Sequence, residues 1–216
     1  MYLNLNISTP LDYDPYECSV VLIKGKLTDG CEEEDTKVEV GEISLYAVDT
    51  ESIVNSGERN FYDIMDSIDH QLMEIADEFY KGNSYLIPSI EKEVFGISLQ
   101  DEPANMLHIS HLHVKKDFRK RNLGKAMVDR VMRLLGKNHV ILTIKPFPLQ
   151  RMLNSNDDPV YKDDYSDLPS GDRSALTKLR TYYKKWGFKK LRNSEYFYMP
   201  TDQWFIENPV PIDIDN

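Results

Sequence analysis

Hydrophobic positions change period along this chain, and the changes mark its elements. Residues 19–27 (Ser-Val-Val-Leu-Ile-Lys-Gly-Lys-Leu) and 37–48 (Lys-Val-Glu-Val-Gly-Glu-Ile-Ser-Leu-Tyr-Ala-Val) alternate or run apolar as strands do. Thr28 to Thr36 between them is polar and acidic with Gly30, which suits a hairpin loop. In the second strand the apolar phase shifts across Gly41, from Val38 and Val40 to Ile43 and Leu45, and predicts a bulge there. From 60 to 81 the period becomes helical: Phe61, Ile64, Met65, Ile68, Leu72, Ala76 and Phe79 form one stripe, with Gly82-Asn83 as its C-terminal signal. Glu93–Leu99 reads as a strand and 101–105 as a turn.

The second half alternates cleanly. Residues 106–114 (Met-Leu-His-Ile-Ser-His-Leu-His-Val) predict a strand, 122–136 an amphipathic helix, and 139–145 a buried strand stopped by Pro146 and Pro148. An acidic loop follows to about Gly171, then a helix over 173–186 ending at Gly187, and strands at 188–192 and 195–199. The tail 205–216, with Pro209 and Pro211, is expected to be poorly ordered. Strands first, then strand–helix–strand–helix–strand–strand, predict a mixed α/β (α+β) three-layer domain over 1–204.

Composition narrows the function classes. Of 216 residues, 41% are hydrophobic and 11% aromatic, enough for a packed core, and no apolar run reaches membrane-spanning length. Met1 to Pro10 has neither a basic segment nor a continuous apolar one, so no leader is expected. Cys18 and Cys31 lack metal-ligand spacing and read as free thiols in a reducing cytoplasm. A formal net charge of −10 argues against a nucleic-acid or anionic-membrane partner. Yet Lys115, Lys116, Arg119, Lys120, Arg121, Lys125, Arg130, Arg133 and Lys137 crowd one short segment. Such an island fits a single anionic ligand, and equally a solvated helix face.

The same segment holds the most specific pattern. An apolar strand runs into a basic turn and then a helix N-terminus, the arrangement that leaves outward N–H groups and a favourable dipole for a diphosphate. Val114 is followed by Phe118-Arg119, and Arg119-Lys-Arg-Asn122-Leu-Gly124 resembles the diphosphate turn of the GNAT superfamily of N-acetyltransferases, written Gln/Arg-x-x-Gly-x-Gly/Ala. The departure is Asn122 in place of the first Gly, and Asn tolerates positive φ better than most residues. A second frame, Arg121-x-x-Gly124-x-Ala126, satisfies the pattern fully but lengthens the spacing from the strand by two residues. Downstream, Tyr183-Lys-Lys-Trp-Gly187-Phe188 resembles the Tyr-x-x-x-Gly-Phe that ends the family's last helix. Lys145-Pro-Phe-Pro-Leu-Gln150 is similar to a bacterial subgroup of uncharacterised substrate. The resemblance covers roughly residues 37–199, with the cofactor core at 106–199.

That resemblance implies a mostly antiparallel sheet with a splayed strand pair at the cofactor site, and acetyl-coenzyme A as cofactor. The backbones of Leu112, His113 and Val114 would hold the pantetheine and thioester, and Arg119, Lys120, Arg121, Asn122, Leu123, Gly124 and Lys125 the diphosphate. Tyr183 maps onto the family's general acid, with a core aromatic as the plain alternative and Tyr182 the better core candidate. For the base, His108 stands where some members carry a Glu, and imidazole titrates in the right range. Glu42 could serve directly or through water. Strand alternation places His108 with Ser110 on one face and His111 with His113 on the other. The i, i+2 pair His111/His113 has no third ligand nearby, so no metal is expected. The acidic loop, with Asp157, Asp158, Asp163, Asp164, Asp167 and Asp172, is either a lid for a cationic amine or an ordinary solvated loop.

The implied activity is direct transfer of acetyl from acetyl-CoA to a primary amine of a small molecule or protein in a ternary complex. One alternative is a non-catalytic CoA-binding sensor on the same fold. Another is a toxin-like acetyltransferase acting on charged tRNA, which the basic island could serve and the net charge opposes.

Overall fold

In the computed structural model, which describes residues 1–8, 19–30, 38–56, 60–82, 85–96, 103–149 and 172–209, the strands of plainest alternation build a meander. Strands β1 (Tyr2–Ser8), β2 (Val20–Asp29) and β3 (Val38–Val48) pair antiparallel. Strand β1 lay outside the sequence expectations, although Leu3, Leu5 and Ile7 alternate with Asn4 and Asn6. Leu27 faces Gly41 while Thr28 faces Glu39, so the bulge expected at Gly41 has Val40 as its extra residue. Gly41 itself is required by a close approach, because a Cβ there would lie 2.5 Å from the His113 carbonyl oxygen.

After β3 come helices α1 (Thr50–Ser56), α2 (Phe61–Ile68) and α3 (His70–Phe79), a small hairpin of β4 (Tyr80–Lys81) and β5 (Tyr85–Leu86), and α4 (Pro88–Phe95). Strand β6 (Met106–Val114), α5 (Leu123–Leu135), β7 (Ile141–Ile144), α6 (Asp172–Lys185), β8 (Lys189–Lys190), β9 (Phe197–Pro200) and α7 (Thr201–Glu207) follow. The sheet runs β1-β2-β3-β6-β7-β9-β8, with every neighbour antiparallel except β6 and β7. It separates two cores. Helices α1 to α4 bury Ile53, Phe61, Leu72, Phe79 and Ile90 against Tyr46, Val48 and Met106. Helices α5, α6 and α7 bury Met127, Val131, Tyr183 and Trp204 against Ile43, Leu45, Leu107 and Ile109. This is the expected three-layer α/β class with a mixed, mostly antiparallel sheet.

Several expectations need correction. The stripe over 60–81 is two helices, because Asp69 is extended (φ −161°, ψ 130°) and its carboxylate accepts from Gln71 N–H to cap α3. Residues 80 and 81 belong to a strand. Residues 93–95, expected in a strand, end helix α4, which has Pro88 in its first turn and Gly96 at φ 74° as its left-handed stop. Helix α7 crosses the expected start of a loose tail at 205, since Trp204 is fully buried and α7 runs to Glu207. Cys18, Cys31, residues 97–102, Gln150 and the acidic loop through Gly171 lie outside the described residues.

Two features of β6 open the sheet. Ser44 faces His111 while Leu45 faces Ile109, which leaves Ser110 as an extra residue in β6. The pairing of β6 with β7 stops at Ile109↔Ile144, and Lys145-Pro146-Phe147-Pro148 follows. Proline has no N–H to donate and cannot extend a ladder. The Ser110 bulge also overturns the expected alternation. His108, His111 and His113 face Tyr46, Ser44 and Glu42, so all three share one side of the sheet.

Candidate active site

Two cavities meet where β6 leaves β7. The smaller, about 320 Å³, lies between the end of β6, the turn before α5, and α6. Leu112, Val114, Phe118, Leu179 and Tyr182 form its apolar wall, and Arg119, Lys120, Asn122, Leu123 and Gly124 its end at α5. The larger, about 700 Å³, draws on both sides of the sheet: Ile109, Ile144 and Tyr183 from one, and Ser44, Tyr46, Asp69, Glu74 and His111 from the other. Leu112 and Tyr183 line both.

The turn before α5 adopts the geometry that its sequence had to permit. Lys120 (φ 64°) and Asn122 (φ 56°) are both left-handed. Asn122 is the residue before the helix, without a side-chain cap hydrogen bond. Gly124 lies inside α5, buried, where a Cβ would meet the side chains of Leu112, Trp186 and Val114 at 3.6–3.8 Å. Asn122 is thus a left-handed residue of the turn, and Gly124 a helical one. Arg119 Nε donates to the Val114 carbonyl at 3.1 Å, and the Arg121 guanidinium sits 5.3 Å above the Phe118 ring while donating to the Asp117 carbonyl. Arg121 and Lys125 line neither cavity, and the side chain of His113 is buried on the Glu42 side of the sheet.

The two tyrosines of α6 exchange their expected places. Tyr182, expected in the core, is 39% exposed on the smaller cavity, while Tyr183 is only 6% exposed. Tyr183 packs edge-on to Trp186 at 5.3 Å and against Phe188 at 6.0 Å. Gly187 (φ 98°) turns the chain directly after this helix and carries Phe188 back onto it. Trp186 in turn meets Trp204 of α7, whose indole donates to Asp129 of α5. The Tyr-x-x-x-Gly-Phe spacing therefore presents one ring to both cavities from a rigid aromatic mount.

The sheet side of the larger cavity is polar and internally tied. Tyr46 O–H donates to Asp69 at 2.6 Å, and burial with that carboxylate pushes its phenol well up. Lys145 donates to Glu74 at 2.7 Å and Tyr196 O–H does so at 2.8 Å; these hydrogen bonds, the lysine's first, hold the Glu74 carboxyl below its usual range. His108 is fully buried and lines neither cavity. Its Nδ1 lies 2.9 Å from Thr143 Oγ1, and desolvation pushes its pKa down to about 3. It lies under Tyr46 and Tyr196, away from both cavities. Glu42 also lines neither cavity; its Oε1 lies 3.1 Å from His111 Nε2 and 3.9 Å from His113 Nδ1. His111, Tyr46, Asp69 and Lys145 were not singled out as site residues. The β6 bulge turns His111 and the α2–α3 break places Asp69, and neither has a clear signal in the residue pattern.

No protein-family model and no curated protein matches the sequence. Among solved structures the chain is similar to the KacTA–DNA complex (TM-score 0.44, 12% identity, 94% of this chain and 96% of that one). It is also similar to AtaTR bound with AcCoA (0.43, 12%, 94% and 96%) and to AtaT complexed with acetyl-methionyl-tRNAfMet (0.42, 11%, 95% and 98%).

Proposed function

We propose that this protein transfers an acetyl group from acetyl-CoA to a primary amine by direct attack, with the donor in the smaller cavity and the acceptor in the larger. The observation that carries this is the meeting of the two cavities at Leu112 and Tyr183, beside the half of β6 that extends past its pairing with β7. The residues present suit the cofactor. An apolar channel leads to a cationic turn at a helix N-terminus. Leu112, Val114, Leu179 and Tyr182 would hold the pantetheine, and Arg119, Lys120 and the first N–H groups of α5 the diphosphate. When bound, the cofactor supplies an activated acetyl thioester.

Beyond Ile109, β6 has donors on the side that β7 has left, and these can hold a carbonyl oxygen as its charge grows. Tyr183 O–H is a proton donor at the shared wall and suits a departing thiolate. The exposed Lys116, Lys120 and Arg121 beside the turn keep an aminoacyl-tRNA among the amine acceptors to assay. Calorimetry with acetyl-CoA tests the assignment. We expect binding in the wild type, weakened about tenfold or more by Arg119→Glu combined with Arg121→Glu. Absence of binding by the intact wild type would sink it.

A further inference from the structure

The Ser110 bulge turns His111 toward the larger cavity and Glu42. We propose that His111 is the general base that removes the acceptor amine's proton, with Glu42 as the positioning residue behind it. This rests on the acetyl-transfer reading above.

His111 lines the larger cavity, whose wall includes Leu112 and Tyr183. Its Nε2 is 3.1 Å from Glu42 Oε1, and a carboxylate only accepts, so Nε2 carries the hydrogen. In the neutral ring, Nδ1 is then the proton acceptor. The acid-orients-imidazole arrangement recurs wherever a histidine must present one fixed tautomer. Without the extra residue in β6, His111 would fall on the opposite side of the sheet from Glu42.

The charged surroundings come from every packed element. Glu42 lies on β3, the His113 ring 6.4 Å away on β6, and Lys24 in the same cross-strand row on β2. Asp69, His70 and Glu74 reach the cavity from around α3, and Lys145 from beyond β7. Lys26, in the next row, is held by Glu39 at 2.9 Å. His108, on the same face three residues earlier, is sealed beneath Tyr196.

The step balances as follows. The amine nitrogen bonds to the acetyl carbon while its proton passes to His111 Nδ1. The carbon–sulfur bond breaks with its electron pair going to sulfur, and Tyr183 O–H supplies the thiol proton. His111 then releases its proton and Tyr183 regains one, so one proton moves net from amine to thiol.

Nitrogen-15 NMR of the histidine-labelled wild type, with His111→Gln to assign the signal, reads the tautomer without turnover. We expect the Nε2–H form at His111, shifted toward the other tautomer in Glu42→Gln. An Nδ1–H ring, or one indifferent to Glu42→Gln, overturns the proposal. Thiol release from acetyl-CoA with spermidine and glycinamide as probe amines, followed across the neutral pH range, gives the kinetic arm. His111→Gln should lower kcat/KM about 10²-fold or more and abolish the fall in rate on the acid side. Glu42→Gln should lower kcat with KM kept, and Glu42→Asp should recover part of it. Wild-type rates and profile in His111→Gln overturn the proposal. If the wild type uses neither amine, the tautomer decides alone. Acetyl-CoA binding, measured by calorimetry, should survive both substitutions; its absence in the wild type defeats the acetyl-transfer reading instead.

Discussion

The two halves of β6 carry the same residue types to opposite ends. Met106–Ile109 is hydrogen-bonded on both edges, to β3 and β7, and its side chains are fully or almost fully buried. His111–Val114 keeps its β3 partner, while its pairing to β7 has ended. A histidine in the first half is locked against Thr143 with its charged form suppressed; a histidine in the second lines a cavity and meets a carboxylate. Residue type therefore says little about role here. One extra residue at Ser110 and two prolines after β7 divide a structural segment from a candidate chemical one.

The largest expected effects test that division directly. Tyr183→Phe should lower acetyl transfer by about 10²–10⁴-fold while leaving acetyl-CoA affinity within a few-fold, read by thiol release and calorimetry. Unchanged turnover would make Tyr183 a core aromatic only. Next, Leu107→Ala, in the closed half, should cost about 2–5 kcal/mol in urea denaturation, because Leu107 is fully buried. Leu112→Ala, in the open half, should cost markedly less stability but weaken acetyl-CoA binding. Equal stability losses would contradict the contrast between the halves.

Acid titration gives a smaller, signed effect. His108 has its folded pKa depressed by burial, so the unfolded chain binds the extra proton first. The stability it supports is present above about pH 6.5 and is lost as pH falls toward about 3, at about 1.4 kcal/mol per pH unit. His139 is shifted in the same direction by burial and contributes its own slope. The difference between wild type and His108→Leu in urea melts at successive pH values therefore isolates His108, and the variant should show the shallower acid slope. Smallest of all, Asn122→Gly should change acetyl-CoA affinity by no more than about threefold, since Asn122 already holds φ 56°. A large gain would mean that the asparagine strains the turn.

Much of the fold was legible in local pattern. The strands near 19–27, 37–48 and 106–114 and the helices at 122–136 and 173–186 follow from period alone, because each buries one stripe or one face. The basic turn and Tyr183-x-x-x-Gly187-Phe188 were legible as motifs because their geometry is local: a left-handed residue, a helix start, a helix stop. The failures were not local. Asp69 breaks an unbroken apolar stripe because Tyr46, 23 residues away, holds its carboxylate while it caps α3. Pro88 and Gly96 bracket α4 as start and stop signals, against an apolar run at 93–99 that reads as a strand.

From the sequence alone came the three-layer class, the place of the basic turn, and the tyrosine at the end of the last long helix, since periodicity and turn chemistry are properties of neighbouring residues. Tertiary structure decided which histidine meets the cavity, which carboxylate stands behind it, and which of two adjacent tyrosines joins both cavities. Those choices hang on register between strands distant in sequence, where a single bulged residue moves every later side chain to the other face.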